Sequence, residues 1–139
     1  MQTKIGVEQS IYVIVIIAKQ KSGEAMKSQA LGEILGVSDS YLKKILGKLV
    51  RAGILKSSAS KTGGMSLGRQ PQKITFLDIF EAIEGETPFL HSHNLRETVQ
   101  TDDIDEFVKQ ADKTLSIFRE AEDSYKSSLS KYTIADLLY

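Results

Sequence analysis

The chain contains no cysteine. Disulfides, zinc–thiolate sites and cysteine-held iron–sulfur clusters are therefore excluded, and the absence agrees with a cytoplasmic protein. Long apolar runs are missing too. The longest, Ile11 to Ala18, falls far short of the ~20 residues that cross a bilayer. It follows Glu8, Gln9 and Ser10 rather than a basic front, and no small-residue cleavage site comes after it, so it is not read as a signal peptide. Histidine is scarce, at two residues. No catalytic constellation stands out: there is no histidine within an evident triad and no glycine-rich phosphate loop. Lys61-Thr62-Gly63-Gly64 is not such a loop, because its lysine precedes the glycines and no helix follows directly. Neither an enzyme nor a cofactor is expected.

What is present fits one domain, or one compact domain with an appended element. The chain has 139 residues, of which 41% are hydrophobic and 26% charged. That is ordinary for a globular protein able to bury a core without metal or disulfide support. The balance of 18 basic and 18 acidic residues hides a split: residues 1–85 carry a net +5 and residues 86–139 a net −5. The positive charge peaks over residues 38–73, where Lys43, Lys44, Lys48, Arg51, Lys56, Lys61, Arg69 and Lys73 stand against Asp39 alone. A local basic field beside an acidic segment is a common footprint of nucleic-acid binding, although solvated helix faces are often lysine-rich as well.

Along the chain, Gln9–Lys19 is apolar on all sides and would suit a buried strand or a buried helix. The helical character of the succeeding segments favours a helix. Ser28 is placed to cap a short helix with Ala30, Leu31, Ile34 and Leu35 on its buried face, and Gly36 supplies the left-handed residue that ends it. Ser38 is placed to cap the next helix, which carries Tyr41, Leu42, Ile45, Leu46, Leu49 and Val50 at three- and four-residue spacing. Lys43, Lys44, Lys48 and Arg51 fill much of its other side, and Gly53 stops it. Two short helices joined by a tight glycine turn, the second basic outside, match a helix-turn-helix. Ile54–Ser58 then reads as a strand, Lys61–Gly64 as a turn and Met65–Leu67 as the returning strand. A hairpin directly after a recognition-type helix is a wing, and its small polar tip suits close approach to a phosphate backbone.

After Gln70-Pro71, Thr75 caps a helix with Asp78 at the capping-box position, and Phe76, Leu77, Ile79, Phe80, Ala82 and Ile83 form its apolar surface. Residues 86–101 read as a connecting loop. A long helix comes after Thr101, with Ile104, Val108, Ala111, Leu115, Phe118, Glu122, Tyr125 and Leu129 alternating at spacings of four and three, the seam of a helix packed along another. Glu122 breaks that seam, although neighbouring Ala121 could take over the buried position. Ile134, Ala135, Leu137 and Leu138 form an apolar tail expected to dock back on the body.

These pieces resemble the Rrf2 family of bacterial winged-helix regulators, which includes an iron–sulfur-cluster regulator, a nitric-oxide-sensing repressor and a cysteine-metabolism repressor. The likeness rests on Gly36-Val37-Ser38-Asp39-Ser40-Tyr41-Leu42, then Leu49 and Ala52-Gly53-Ile54-Leu55. It continues in Gly63-Gly64-Met65-Ser66-Leu67, Pro71, Ile74-Thr75, Asp78-Ile79, Ala82-Ile83-Glu84-Gly85 and Thr133-Ile134-Ala135-Asp136-Leu137. The resemblance implies a mainly α fold with a small β-hairpin: a winged helix-turn-helix over residues 1–85, a connecting loop over 86–101, and a dimerisation helix with a C-terminal docking segment over 102–139. It further implies a homodimer on a partly palindromic double-stranded DNA site. Three departures stand out. The three cysteines that cluster-binding members carry after the helix ending at Glu84-Gly85 are absent. Lys43 occupies the place where members commonly have glutamate, so a contact to guanine or phosphate replaces one to cytosine. The wing arginine is also missing, with Lys61 supplying charge nearby.

The expected DNA-facing set is Gln29, Ser38, Ser40, Tyr41, Lys43, Lys44, Lys48, Ser60, Lys61, Thr62 and Gly63, with Lys48 at the edge on phosphate and the Tyr41 ring also closing the core. The expected dimerisation set is Ile104, Val108, Ala111, Leu115, Phe118 and Tyr125. His91 and His93 could share a face of an extended segment, but no further ligand accompanies them, and no metal is expected. Pro88, Phe89 and Leu90 could line a docking surface or hold a small-molecule effector. The leading reading is a dimeric transcriptional regulator, a repressor rather than an activator. Its rival is a winged-helix module for protein association, which would expose an apolar patch where this chain has lysines.

Overall fold

A computed structural model describes residues 5–91 and 95–139. In chain order these form α1 (Ile5–Ala18), α2 (Ser28–Leu35), α3 (Asp39–Arg51), the strands β1 (Leu55–Ser58) and β2 (Gly64–Leu67), α4 (Phe76–Glu84), α5 (Leu95–Thr98), α6 (Ile104–Ser130) and α7 (Ala135–Leu138). The ambiguous run at residues 11–18 is helical. It is apolar all round because α1 is covered on several sides: Val13, Ile14 and Ile17 are buried, Ile11, Val15 and Ile16 are half-buried, and α3, α4 and β2 all lie against it. Its buried hydroxyl, Ser10 Oγ, donates to Gly6 O at 2.6 Å, so that hydroxyl is satisfied within the helix.

Gly36 adopts φ +67° and ends α2, its N–H bonding Gly32 O at 2.8 Å. Only a residue without Cβ takes that conformation cheaply. Ser38 caps α3 as expected, its Oγ accepting from Tyr41 N at 3.4 Å. Ser28, by contrast, is not a cap: it is the first helical residue of α2, and Lys27 precedes it with no side-chain capping bond. The reason lies in the wing. Met26 pairs with Met65 in an antiparallel bridge, with N···O distances of 2.9 and 2.7 Å, which holds the backbone extended up to Lys27. The hairpin β1–β2 is antiparallel with Leu55 opposite Leu67 and Ser58 opposite Gly64. Gly64 has φ +144°, and any Cβ there would run into the Met26 carbonyl, so the wing closes onto the chain before α2 only because this position is glycine.

Thr75 and Asp78 form the expected capping box: Asp78 N donates to Thr75 Oγ1 at 3.0 Å and Thr75 N to Asp78 Oδ2 at 2.9 Å. The segment expected as loop contains the short helix α5, and α6 begins at Ile104 behind an Asp103 cap that accepts from Glu106 N at 3.0 Å. The tail docks firmly. Ile134 is fully buried and its N–H bonds Ile74 O at 2.9 Å, while Phe76 N donates to Tyr132 O at 3.0 Å. One core therefore gathers Ile14, Leu31, Leu42, Leu46, Leu49, Ile54, Ile79 and Ile134.

Two features of α6 differ from a continuous seam. Glu122 accepts the Phe89 N–H, so the carboxylate that interrupts the apolar pattern holds the segment after α4 against α6. Tyr125, expected at a dimer contact, is half-buried and packs on its own chain, with its ring centroid 5.4 Å from that of Phe80 and 5.5 Å from that of Phe89. A helix turns by about 100° per residue, so a seam read from spacing alone cannot tell a tyrosine facing a partner from one facing the body.

Candidate nucleic-acid interface

Helix α3 buries Leu42, Ile45, Leu46 and Leu49, one apolar stripe. The opposite side is set by helical geometry: Ser40, Lys44, Gly47 and Arg51 lie at i, i+4, i+7 and i+11 on one row. Ser40, Lys44 and Arg51 are exposed, as is Lys43 on the adjoining flank. No aliphatic side chain of α3 is exposed, and Tyr41, at 36%, is its one large exposed hydrophobic residue. Between α3, Gly6 of α1 and Ile83 of α4 lies a hollow of about 330 Å³ lined by Tyr41, Lys43, Lys44, Lys48 and Arg51. A Cβ on Gly6 would sit 3.2 Å from the Tyr41 hydroxyl, so the tyrosine reaches α1 at the hollow through its oxygen.

The expected residues separate into distinct roles. Gln29 is exposed on α2, and Ser60, Lys61 and Thr62 are exposed at the wing tip, where the hydroxyls of Ser60 and Thr62 lie 3.4 Å apart. Ser38 uses its oxygen on the α3 cap. Gly63, expected at the interface, is buried: its N–H bonds Ser60 O at 2.8 Å and the chain packs against its α-carbon, so it shapes the tip rather than facing outward. Lys48 is half-buried and its Nζ donates to Ile83 O at 3.2 Å, tying α3 to the end of α4. Lys43 Nζ lies 2.9 Å from Asp39 Oδ2, an exposed i,i+4 ion pair. Such a pair is worth only about 0.3–0.5 kcal/mol, so it orients the ammonium without sequestering it.

Sequence reasoning put Arg51 on the basic side of α3 but left it out of the expected DNA-facing set, and it did not foresee the inward role of Arg69. Arg51 shares the exposed row of α3, a placement its seven-residue spacing from Lys44 already implied. Arg69 belongs to the basic field by composition, yet its guanidinium is turned inward: Nη2 donates to Ala52 O at 2.7 Å and Nη1 to Asp78 Oδ2 at 3.1 Å. It thereby joins the end of α3, the return of the wing and the start of α4. Nothing in the local sequence separates a cation that faces solvent from one that bridges two helix ends.

Two helices at a glycine turn followed by a hairpin and a basic exposed helix face define a winged helix-turn-helix protein. A family profile described as "Iron-dependent Transcriptional regulator" matches residues 3–139, and the chain belongs to this family, Rrf2. It is 44% identical over 95 residues to YffB of Lactococcus lactis subsp. lactis (strain IL1403), named as a candidate HTH-type transcriptional regulator, across 68% of this chain and 61% of YffB. It is 32% identical over 99 residues to YwgB of Bacillus subtilis (strain 168), named likewise, across 71% of this chain and 64% of YwgB. The chain thus spans rather under two thirds of the length of these relatives. Among solved structures, a transcriptional-regulator structure from Lactobacillus plantarum superposes with a TM-score of 0.75 at 17% identity, covering 96% of this chain and 87% of the other. T. potens IscR superposes at 0.70 and 22% identity, covering 99% and 86%. These likenesses establish the fold.

The iron in the family description does not fit the residues present. The chain has no cysteine, and among the described residues no three His, Asp or Glu side chains gather closely enough to hold a metal ion. His91 is exposed, and His93, the other half of the conceivable pair, lies outside the described residues. Among the described residues no helix is long and apolar enough to cross a membrane.

Proposed function

We propose that the chain is a sequence-specific DNA-binding transcriptional regulator, acting as a repressor on a partly palindromic operator, in the cytoplasm, as a homodimer whose signal is not a cysteine-ligated cluster. The observation that carries this reading is the exposed row of α3, where Ser40, Lys44 and Arg51 stand with Lys43 beside them and no aliphatic side chain is exposed. A docking face for protein would expose apolar surface there. A basic helix face next to a small, polar hairpin tip suits a major groove flanked by phosphates. A regulator that covers its operator represses by occupying it.

The dimer reading rests on α6. This helix is 27 residues long and buries none of them, and it meets α4 through its C-terminal part, where Tyr125 and Lys126 contact Phe80 and Glu81. Ahead of that stretch Ile104 (42% exposed), Val108, Ala111, Leu115 and Phe118 (48%) leave an apolar stripe against solvent. A second copy covers it by the same stripe, an isologous contact, and sets two recognition helices roughly one DNA turn, ~34–36 Å, apart. An effector acting on residues 86–91 would be read through Glu122 and Tyr125, which tie that segment to the same helix.

The test is binding of the full chain to a pool of genomic duplex fragments at 50 and 200 mM salt. Affinity is expected to fall by roughly 10³–10⁵ for six to ten phosphate contacts, and the bound pool to share one two-fold motif. Retention of no duplex at low salt, or retention indifferent to salt, overturns the proposal.

A further inference from the structure

By sequence, Asp39 is only the single acid within a basic stretch. In the structure it stands in the first turn of α3, exposed, with its carboxylate 2.9 Å from the Lys43 ammonium. The side chains are 58% and 65% exposed respectively, so no protein surface claims either group. The pair therefore offers solvent a donor and an acceptor side by side, at the end of the recognition helix that meets base edges in this motif.

That arrangement has a specific complement. In the major groove a G·C pair presents the guanine O6 and N7 acceptors next to the cytosine N4 amino donor, and no other base pair carries that order. An ammonium donates to the guanine edge, and a carboxylate accepts from the cytosine amino group. A phosphate, by contrast, would gain from Lys43 and be repelled by Asp39. An A·T pair also offers an amino donor, adenine N6, but it lies between the separated acceptors N7 and O4, so the ammonium beside the carboxylate gains one acceptor there instead of the adjacent guanine O6 and N7.

We propose that Asp39 and Lys43 act together as a reader of one G·C pair in each half-site, with Lys43 on guanine and Asp39 on cytosine. This deepens the DNA-binding reading and rests on it. Asp39 is then a specificity residue, not a structural one. Its negative charge disfavours a phosphate beside Lys43 and makes the contact depend on which strand carries the guanine. Ser40 and Lys44, the exposed neighbours on α3, carry no carboxylate and cannot replace it.

The experiment selects bound sequences from a randomised duplex pool with the full-length chain, with Asp39→Asn and with Lys43→Met, and measures affinity of each for the selected and a scrambled duplex over a salt series. The wild-type motif is expected to contain a G·C pair in each half-site that both variants cease to prefer, with the preference falling roughly tenfold or more. Asp39→Asn is also expected to bind the scrambled duplex more tightly, with a log–log salt slope steeper by about one, because the ammonium then meets a phosphate without a neighbouring negative charge. If Asp39→Asn selects the wild-type motif unchanged, the paired reader is wrong while DNA binding stands. If the wild-type chain selects no motif and shows no salt dependence, both readings fall together.

Discussion

Arg51 shows how much of the proposed interface depends on where single side chains point. It is exposed at the end of α3, on the same row as Lys44, with its Nη1 3.5 Å from where a Cβ on Gly47 would sit. That is an ordinary contact distance, so the guanidinium lies back along the helix beside Gly47. Arg51→Ala is expected to weaken binding to all duplexes nearly evenly and to lower the log–log salt slope by about one, as loss of a phosphate contact does. A shift in the preferred base at any position would instead make it a base reader. The eight cations between residues 38 and 73 are legible in the sequence as a field, but not as individuals. Lys48 bonds a carbonyl of α4 and Arg69 faces inward, whereas Lys43, Lys44, Arg51 and Lys61 are exposed. The sum of charges was readable because charge is composition; the partition was not, because it depends on which helix ends the fold brings nearby.

At the scale of elements, the helix-turn-helix was legible almost residue for residue, since its signals are local. Gly36 needs a left-handed backbone, Ser38 needs a free N–H to cap, and the apolar spacing of α3 defines its buried stripe. The capping box of Thr75 and Asp78 was legible for the same reason. What joins the elements was not. Arg69 spans three of them: removing its guanidinium leaves Ala52 O and Asp78 Oδ2 each short of one half-buried donor. Arg69→Ala is expected to lower stability by about 1–3 kcal/mol in chemical denaturation at unchanged m-value. Arg69→Lys is expected to recover only part of that, because a single ammonium lacks the fork that meets two separated acceptors. Full recovery by lysine would show that charge alone matters there. The Met26–Met65 bridge was equally hidden, since two residues at a bridge carry no strand periodicity.

The whole molecule closes through its C-terminal residues. Ile134 is fully buried in the common core and bonded to Ile74 O, although it lies 51 residues beyond Ile83. Ile134→Ala is expected to cost about 2–5 kcal/mol, the range for emptying a buried aliphatic site, and to lower the melting temperature of the whole chain in one transition. A second, separate transition would mean that the tail unfolds on its own. Along α6, Phe118→Glu places a charge in the exposed apolar stripe without touching the core. On the proposed dimer reading it is expected to sediment as a monomer at concentrations where the unaltered chain sediments as a dimer, with unchanged helical circular dichroism and weaker operator binding. Dimers of undiminished stability would place the interface elsewhere.

The sequence by itself determined most elements and their order, the basic field and the family, because helix periodicity, caps, glycine turns and charge act over four or five residues and need no knowledge of the rest. Its periodicity left the nature of α1 open and did not show α5. The tertiary structure alone decided that Tyr125 packs on its own chain, that Glu122 holds the segment after α4, that Arg69 is a strut and that Asp39 pairs with Lys43 in the open. Each of those depends on direction and distance between side chains, set by how helices rotate about their own axes to share one core. A pattern of residue types does not contain that rotation until the packing energy of the whole chain selects it.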